Sequence, residues 1–254
     1  MFTNISTTTA SVASPRLARR SLLGIVVIVA TLSRRALAER APADAISTIK
    51  RFDSALLAAM KSGGQTDFSH RFQALAPEVD RTFDLPAVLS VSVGPGWASL
   101  SPDQQSRLLV AFRRYTVASY VANFDSYAGQ TFTVSPDTRS VSASWVVVHS
   151  RIEKTSGDPT ELDYVMKQTP SGWKVIDVLV GGSISRVAVQ RSDFRRLLSH
   201  GSDALLASLQ RKTSDLSGGA QGRQRMGRGS YARRRAADRS AVRPRDGYGE
   251  AGAA

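Results

Sequence analysis

The chain has no cysteine and only three histidines in 254 residues. Without a thiol there is no disulfide scaffold, no thiolate metal site and no cysteine nucleophile. His70, His149 and His200 stand apart, with no H-x-x-x-H or H-E-x-x-H spacing, so no metal site is expected. A G-x-S-x-G elbow, a G-x-G-x-x-G after a strand and a P-loop are all missing. Gly94-Pro95-Gly96 reads as a turn rather than a phosphate cradle. Acids are scarce as well, with 21 Asp+Glu against 34 Lys+Arg and a net charge of +13. That excess sits at the ends: residues 1–38 carry +5 with no acid, residues 217–254 carry +6, and residues 39–216 keep only +2. A nearly neutral body argues against a domain that reads nucleic acid through a basic face.

What is present begins with an export pattern. Arg16, Arg19 and Arg20 precede an apolar run over residues 22–32, and Ala36-Leu37-Ala38 offers an A-x-A cleavage site before Glu39. The run is too short to span a bilayer, which needs roughly 20 residues, so residues 1–38 read as a Sec-type signal peptide. Arg34 and Arg35, between run and site, are atypical and would slow processing. The mature chain is expected in a bacterial periplasm. With 42% hydrophobic residues, the segment 39–216 is long enough for one domain with a sizeable core.

Two helical halves flank a strand-rich middle. Ile46, Ile49, Phe52, Leu56 and Met60 recur at gaps of three and four, the stripe of an amphipathic helix ended by Gly63-Gly64. Phe68, Phe72 and Leu75 make a second stripe, with an interruption expected at Pro77 and a new turn carrying Val79 and Phe83. Asp84 reads as an N-cap with Pro86 just inside a short helix bearing Leu85, Val88 and Leu89. Trp97 follows in a loop. Ser101-Pro102-Asp103-Gln104 is a capping-box start for a helix running to about Phe124. Leu108, Phe112 and Tyr115 mark one of its faces; Val110, Val117, Val121 and Phe124 mark another, so this helix is expected to be sandwiched.

The period then changes to two. Phe132 and Val134 alternate with polar residues, and Val141, Ala143, Trp145 and Val147 are expected to share the apolar face of one strand. Leu162, Tyr164 and Met166 form a third alternating strand. The nearly unbroken apolar run over 173–180 reads as a central strand buried on both faces. Hairpin-length connections make the sheet antiparallel. Two helices close the domain, one with Val187, Phe194 and Leu197, the other with Leu205, Leu209 and Leu216. Residues 217–254 are rich in Gly, Arg, Ser and Ala and cannot bury enough apolar surface to offset ordering entropy, so they read as a disordered basic tail. Such a tail reads first as a solvated, dispensable extension; the alternative is an element that draws the protein toward an anionic membrane surface by about 1 kcal/mol per arginine. There is no internal repeat.

One residue suggests catalysis. Asp177 lies within the apolar run, where a buried carboxylate would have a raised pKa and serve as a base. The ordinary alternative is a carboxylate satisfied by arginine or backbone donors. The aromatic and aliphatic excess of the body is equally open: these residues fill a solid core, or they line an apolar cavity between helices and sheet.

A family resemblance bears on both questions. Trp173-Lys174-Val175-Ile176-Asp177-Val178, continuing to Gly181-Gly182-Ser183-Ile184, resembles the W-K-V-x-D-V…G-x-S-[LI] signature of the MlaC (toluene-tolerance auxiliary) family. Gln190-Arg191-Ser192-Asp193-Phe194 is similar to its Y-R-S-x-F, with glutamine in place of tyrosine. Gly201, Leu205, Leu209 and Lys212 fit its closing pattern, and Phe112 to Tyr120 fit its long helix. Phe83-Asp84-Leu85-Pro86, the stretch from Tyr120 to Tyr127 and the stretch from Ile184 to Arg195 are closer still to the hopanoid-associated HpnM branch.

The resemblance implies an α+β, NTF2-like fold, a curved antiparallel sheet packed against N-terminal and C-terminal helices around an apolar cavity. It implies a non-enzymatic periplasmic carrier of phospholipid or hopanoid, working with an inner-membrane lipid transporter, without cofactor or metal. Phe72, Phe83, Leu85, Leu89, Trp97, Phe112, Tyr115, Val147, Tyr164 and Met166 are the expected cavity lining, being apolar and on the expected inner faces. The competing readings are a hopanoid-modifying enzyme with Asp177 as base and Tyr164 as donor, and an adaptor that docks a transporter without binding lipid.

Overall fold

The computed structural model describes residues 43–63 and 65–219. The expected signal peptide and the tail beyond residue 219 lie outside the described residues. Helix α1 (43–62) buries Ile46, Ile49, Phe52, Leu56 and Met60 along the stripe its spacing demands. Helix α2 (Phe68–Thr82) starts where the Asp67 carboxylate accepts the His70 N–H at 2.8 Å. It runs through Pro77 without the expected interruption. Pro77 and Gln73, whose carbonyl loses its helical donor, are both exposed, so water replaces the missing bond.

Asp84 caps helix α3 (Leu85–Val93) by accepting the Ala87 N–H at 3.1 Å. Gly94, at φ 77°, ends it in a conformation that favours glycine. A short 3-10 helix over Gly94–Ser99 then carries Trp97, where a loop was expected. The capping box at Ser101 and Gln104 opens helix α4 (Pro102–Asn123). This helix buries Leu108, Ala111, Phe112, Val117, Ala118 and Val121 but leaves Val110 58% exposed, so it is covered over most of its girth rather than fully sandwiched. Arg113 grips both oxygens of Asp80 at 2.8 and 2.6 Å, a fork-shaped pairing that ties α4 to α2.

Five antiparallel strands follow in sequence order: β1 (Thr131–Ser142), β2 (Trp145–Glu153), β3 (Thr160–Thr169), β4 (Gly172–Val180) and the two-residue β5 (Ile184–Ser185). Helix α5 (Arg186–Leu198) and helix α6 (202–219) complete the described chain. The fold is α+β, as expected. Among the described residues no helix is long and apolar enough to cross a membrane.

Two expectations about the sheet are corrected. The segment 141–147 is not one strand: β1 ends at Ser142 and β2 begins at Trp145, with Ala143 and Ser144 in the turn. Val141 is left 57% exposed on the edge strand. Nor is β4 a central strand buried on both faces, since it is bordered on one side only by the two-residue β5. Its apolar run is continuous because a bulge at Ile176 shifts the alternation: Met166 pairs with Val175 while Val165 pairs with Asp177. Trp173 and Val175 before the bulge, and Val178 after it, are therefore all buried on opposite sequence parities.

The inner sheet face meets the helices through aromatic edges. Phe52 of α1 is fully buried, and its ring centre lies 5.3 Å from Phe83, 5.2 Å from Tyr120 and 6.5 Å from Tyr164, each nearly perpendicular. Edge-to-face pairs of this kind contribute roughly 1 kcal/mol each beyond area burial. Phe52→Ala is expected to destabilise the fold by about 3–5 kcal/mol, read as a fall in the urea midpoint with the slope unchanged.

Candidate functional site

Between α4 and the inner face of the sheet lies an open cavity of about 410 Å³. Phe83 and the first turns of α3, through Leu85 and Val88, form one wall. Helix α4 contributes Phe112, Tyr115, Thr116, Ser119, Tyr120 and Asn123, a stripe at helical spacing. The sheet supplies Ile152, Thr160, Leu162, Tyr164, Val178 and Val180, and the start of α5 adds Arg186, Val187 and Gln190. Most of this surface is carbon, and its size suits a small or single-chain apolar guest.

The Asp177 carboxylate lines the cavity and is held there by donors from the backbone and from Ser185. It receives the N–H groups of Val178 at 2.8 Å and Val187 at 3.1 Å, and the Ser185 hydroxyl at 2.5 Å. Together with Ser185, which accepts the Ala188 N–H at 2.9 Å, it caps α5 on β4. The ordinary reading of Asp177, satisfied by backbone donors, is the one the geometry supports.

A second carboxylate went unnoticed in the sequence. Asp53 of α1 is only 2% exposed. It accepts the Ser150 hydroxyl at 2.7 Å and the Tyr164 hydroxyl at 3.3 Å. Burial pushes its pKa up to about 6, against the lowering effect of those two hydrogen bonds. Burial also raises the Tyr164 phenol, and the neighbouring Asp53 and Tyr120 add to that shift. Asp53 stands behind Tyr164 and does not line the cavity. Its signal was available: position 53 lies four after Ile49 and seven after Ile46, on the buried stripe of α1.

Residues 50–211 match the family described as MlaC protein. The chain belongs to the MlaC family. Its fold is shared with the solved structure of a phospholipid-binding protein from Ralstonia solanacearum in complex with a phospholipid. The two superpose with a TM-score of 0.60 at 22% identity, over 68% of this chain and 98% of that one. No curated protein sequence matches the chain.

In this MlaC-family chain, Phe83, Leu85, Phe112, Tyr115 and Tyr164 of the expected lining are brought together around the cavity. The other five lie elsewhere. Leu89 and Met166 are fully buried in the core. Phe72 lies against Phe68, with tilted rings whose centres are 6.2 Å apart, and Trp97 is half-buried in the 3-10 helix. Val147 is on the wrong side of the sheet. The pairs Val148 with Tyr164 and Ser150 with Leu162 set the cavity-facing parity of β2, so Val147 points away with His149 and Arg151. Reading 141–147 as one strand hid this, because the turn at Ala143-Ser144 resets the alternation. The polar members of the α4 stripe were missed because only apolar residues were sought.

Asp53 carries a pH dependence. Its folded pKa lies above its unfolded value, so the folded state binds the proton more tightly, and stability rises as pH falls from above 6 toward 4. Asp53→Asn is expected to remove that slope and to raise stability above pH 7 by up to about 3 kcal/mol, the equivalent of two pKa units. Thermal unfolding of both proteins between pH 4 and 8 checks this.

Proposed function

We propose that this MlaC-family protein is a non-enzymatic carrier that holds the hydrocarbon of a membrane lipid in the cavity between α4 and the sheet. The observation that carries the reading is the apolar, open cavity of about 410 Å³, in which the one acidic side chain among the described lining residues, Asp177, accepts three hydrogen bonds as a cap of α5. Burying hydrocarbon is worth about 0.8 kcal/mol per methylene, so baring one tail of roughly 16 carbons to water would cost on the order of 13 kcal/mol. A carrier offsets that by enclosing the chain in an interior as apolar as the bilayer. Net affinity is then a small difference, which permits both loading and release. The likeness to a phospholipid-bound protein of the same fold supports a lipid as ligand.

The finer reading follows the motifs. Residues 1–38 act as the export signal, residues 39–216 form the lipid-binding domain in the periplasm, and the basic tail rests against anionic membrane. Phe83, Leu85, Phe112, Tyr115 and Tyr164 contact the cargo. Similarity to the HpnM branch supports a role beside hopanoid handling, with an inner-membrane transporter as partner and transfer between the inner and outer membranes.

Protein purified from the periplasm is expected to yield phospholipid or hopanoid on organic-solvent extraction. Absence of both, with no uptake from liposomes, would overturn the carrier reading. Narrowing the cavity by Ser119→Phe together with Val178→Phe is expected to lower the lipid recovered per protein several-fold while unfolding stays cooperative. An enzyme using Asp177 would instead lose turnover in Asp177→Asn while still loading lipid.

A further inference from the structure

Among the described residues six large apolar side chains are strongly exposed, and three of them border the cavity. Val91, 53% exposed, stands one turn after the cavity-lining Val88 on α3. Ile184, 57% exposed, pairs directly with the cavity-lining Val180 of β4, so both side chains share a face of the sheet. Val189, 41% exposed, follows Arg186 by one turn of α5, and Arg186 is both exposed and part of the lining. The charge around them is one-sided. Residues 85–100, which form α3 and the 3-10 helix, contain no charged side chain, although Pro86, Pro95 and Gly96 are exposed and Trp97 is half-buried. Helix α5 carries Arg186, Arg191, Arg195 and Arg196 against a single acid, Asp193, which Arg196 takes at 2.8 Å. The two elements adjoin. The Ser92 hydroxyl donates to the Gln190 side-chain oxygen at 3.2 Å, and the Arg191 guanidinium lies so close to Gly94 that an added Cβ would stand 3.3 Å from it.

Exposed apolar side chains flanked by arginine make a surface suited to the boundary between water and hydrocarbon. Tryptophan is favoured at the headgroup level of that boundary, where its ring is buried and its N–H stays wet. The apolar side chains stand singly along a rim rather than in a groove, so a soft, continuous partner suits them better than a protein knob. Arginines spread along one helix meet several anions at once, which a bilayer of acidic lipid presents as a sheet. We infer that α3, the 3-10 helix and α5 form a membrane-docking face, on which Val91, Trp97, Ile184 and Val189 enter the interface of an anionic bilayer and the α5 arginines meet its phosphates. Docked this way, the cavity opens toward the lipid, and an acyl chain crosses without being bared to water. The face is separate from the basic tail and from the cavity lining; its purpose rests on the carrier reading above, whereas its binding does not.

Co-sedimentation of the full mature protein with phosphatidylcholine vesicles, with and without phosphatidylglycerol, tests this. Phosphatidylglycerol is expected to strengthen binding at least about tenfold, an effect that salt reverses. Arg191→Gln with Arg195→Gln is expected to weaken binding to the acidic vesicles roughly thirtyfold. Val91→Ser with Val189→Ser is expected to weaken it about tenfold. None of these four side chains lines the cavity, and melting temperatures matching the wild type are expected. Bromine atoms in the acyl chains are expected to quench part of the tryptophan emission of the bound wild type, and Trp97→Phe to abolish that quenching. Wild-type protein that binds without quenching, quenching that survives Trp97→Phe, or binding undiminished in both double variants assigns docking to another surface, such as the basic tail, and overturns the inference. No binding to either kind of vesicle overturns it in favour of a protein partner for this face. Organic-solvent extraction of the purified protein reads the carrier separately. Cargo without vesicle binding overturns the docking face alone, and vesicle binding without cargo or uptake overturns the carrier alone.

Discussion

The architecture depends on rigid rings that keep helix α4 from closing onto the sheet. Phe52 meets Phe83, Tyr120 and Tyr164 at its edges, and those three rings also border the cavity. Phe83 and Tyr120 touch each other at 5.6 Å, and the chain of contacts continues through Phe124 to Phe132 of β1. An aromatic side chain has two torsions and cannot shorten itself to fill a neighbouring gap. Phe52, meeting three such rings near right angles, acts as a strut between α1, α4 and β3. Phe83, Tyr120 and Tyr164 form part of the wall of the open space beside them.

Polar groups are arranged around that strut so that hydrogen bonding does not compete with an apolar guest. Tyr164 turns its hydroxyl to Asp53 behind the wall, leaving its ring carbon for the cavity. Asp177, although it borders the cavity, spends its oxygens on the backbone of α5 and on Ser185. The outer sheet face handles its charges separately: both ring nitrogens of His149 lie 2.7 Å from carboxylates, Glu161 and Asp163, and Arg151 joins Glu161 at 2.8 Å. Polar satisfaction is thus completed on the outer face or behind the wall.

The contrast between the two aspartates shows how far residue type alone can mislead. Asp177 draws the eye because it interrupts an apolar run, yet a bulge and a helix start bring three donors to it. Asp53 sits beside Phe52 on the apolar stripe of α1, and burial lifts its pKa to about 6. Asp53 is 2% exposed inside the core, whereas Asp177 is only part-buried beside the start of α5. Burial and donor supply both come from packing and backbone geometry, which neighbouring residues in the chain do not reveal.

Features that depend on a few adjacent residues were legible in the sequence. The caps at Asp84 and Ser101, the amphipathic stripe of α1, the hairpin turns and the antiparallel meander all follow from local torsional preference and hydrophobic period. Family motifs near the C-terminal end of the sheet pointed to the fold. The phase of the strands was decided only in three dimensions. A turn at Ala143-Ser144 and a bulge at Ile176 each reset the alternation, and every residue beyond them changes face. Membership of the cavity was decided there too, since Ser119, Leu162 and Arg186 come from three separate elements and meet only after packing. The physical reason is one of range: period and capping are fixed by neighbours along the chain, whereas register and enclosure are fixed by whichever strand or helix lies alongside.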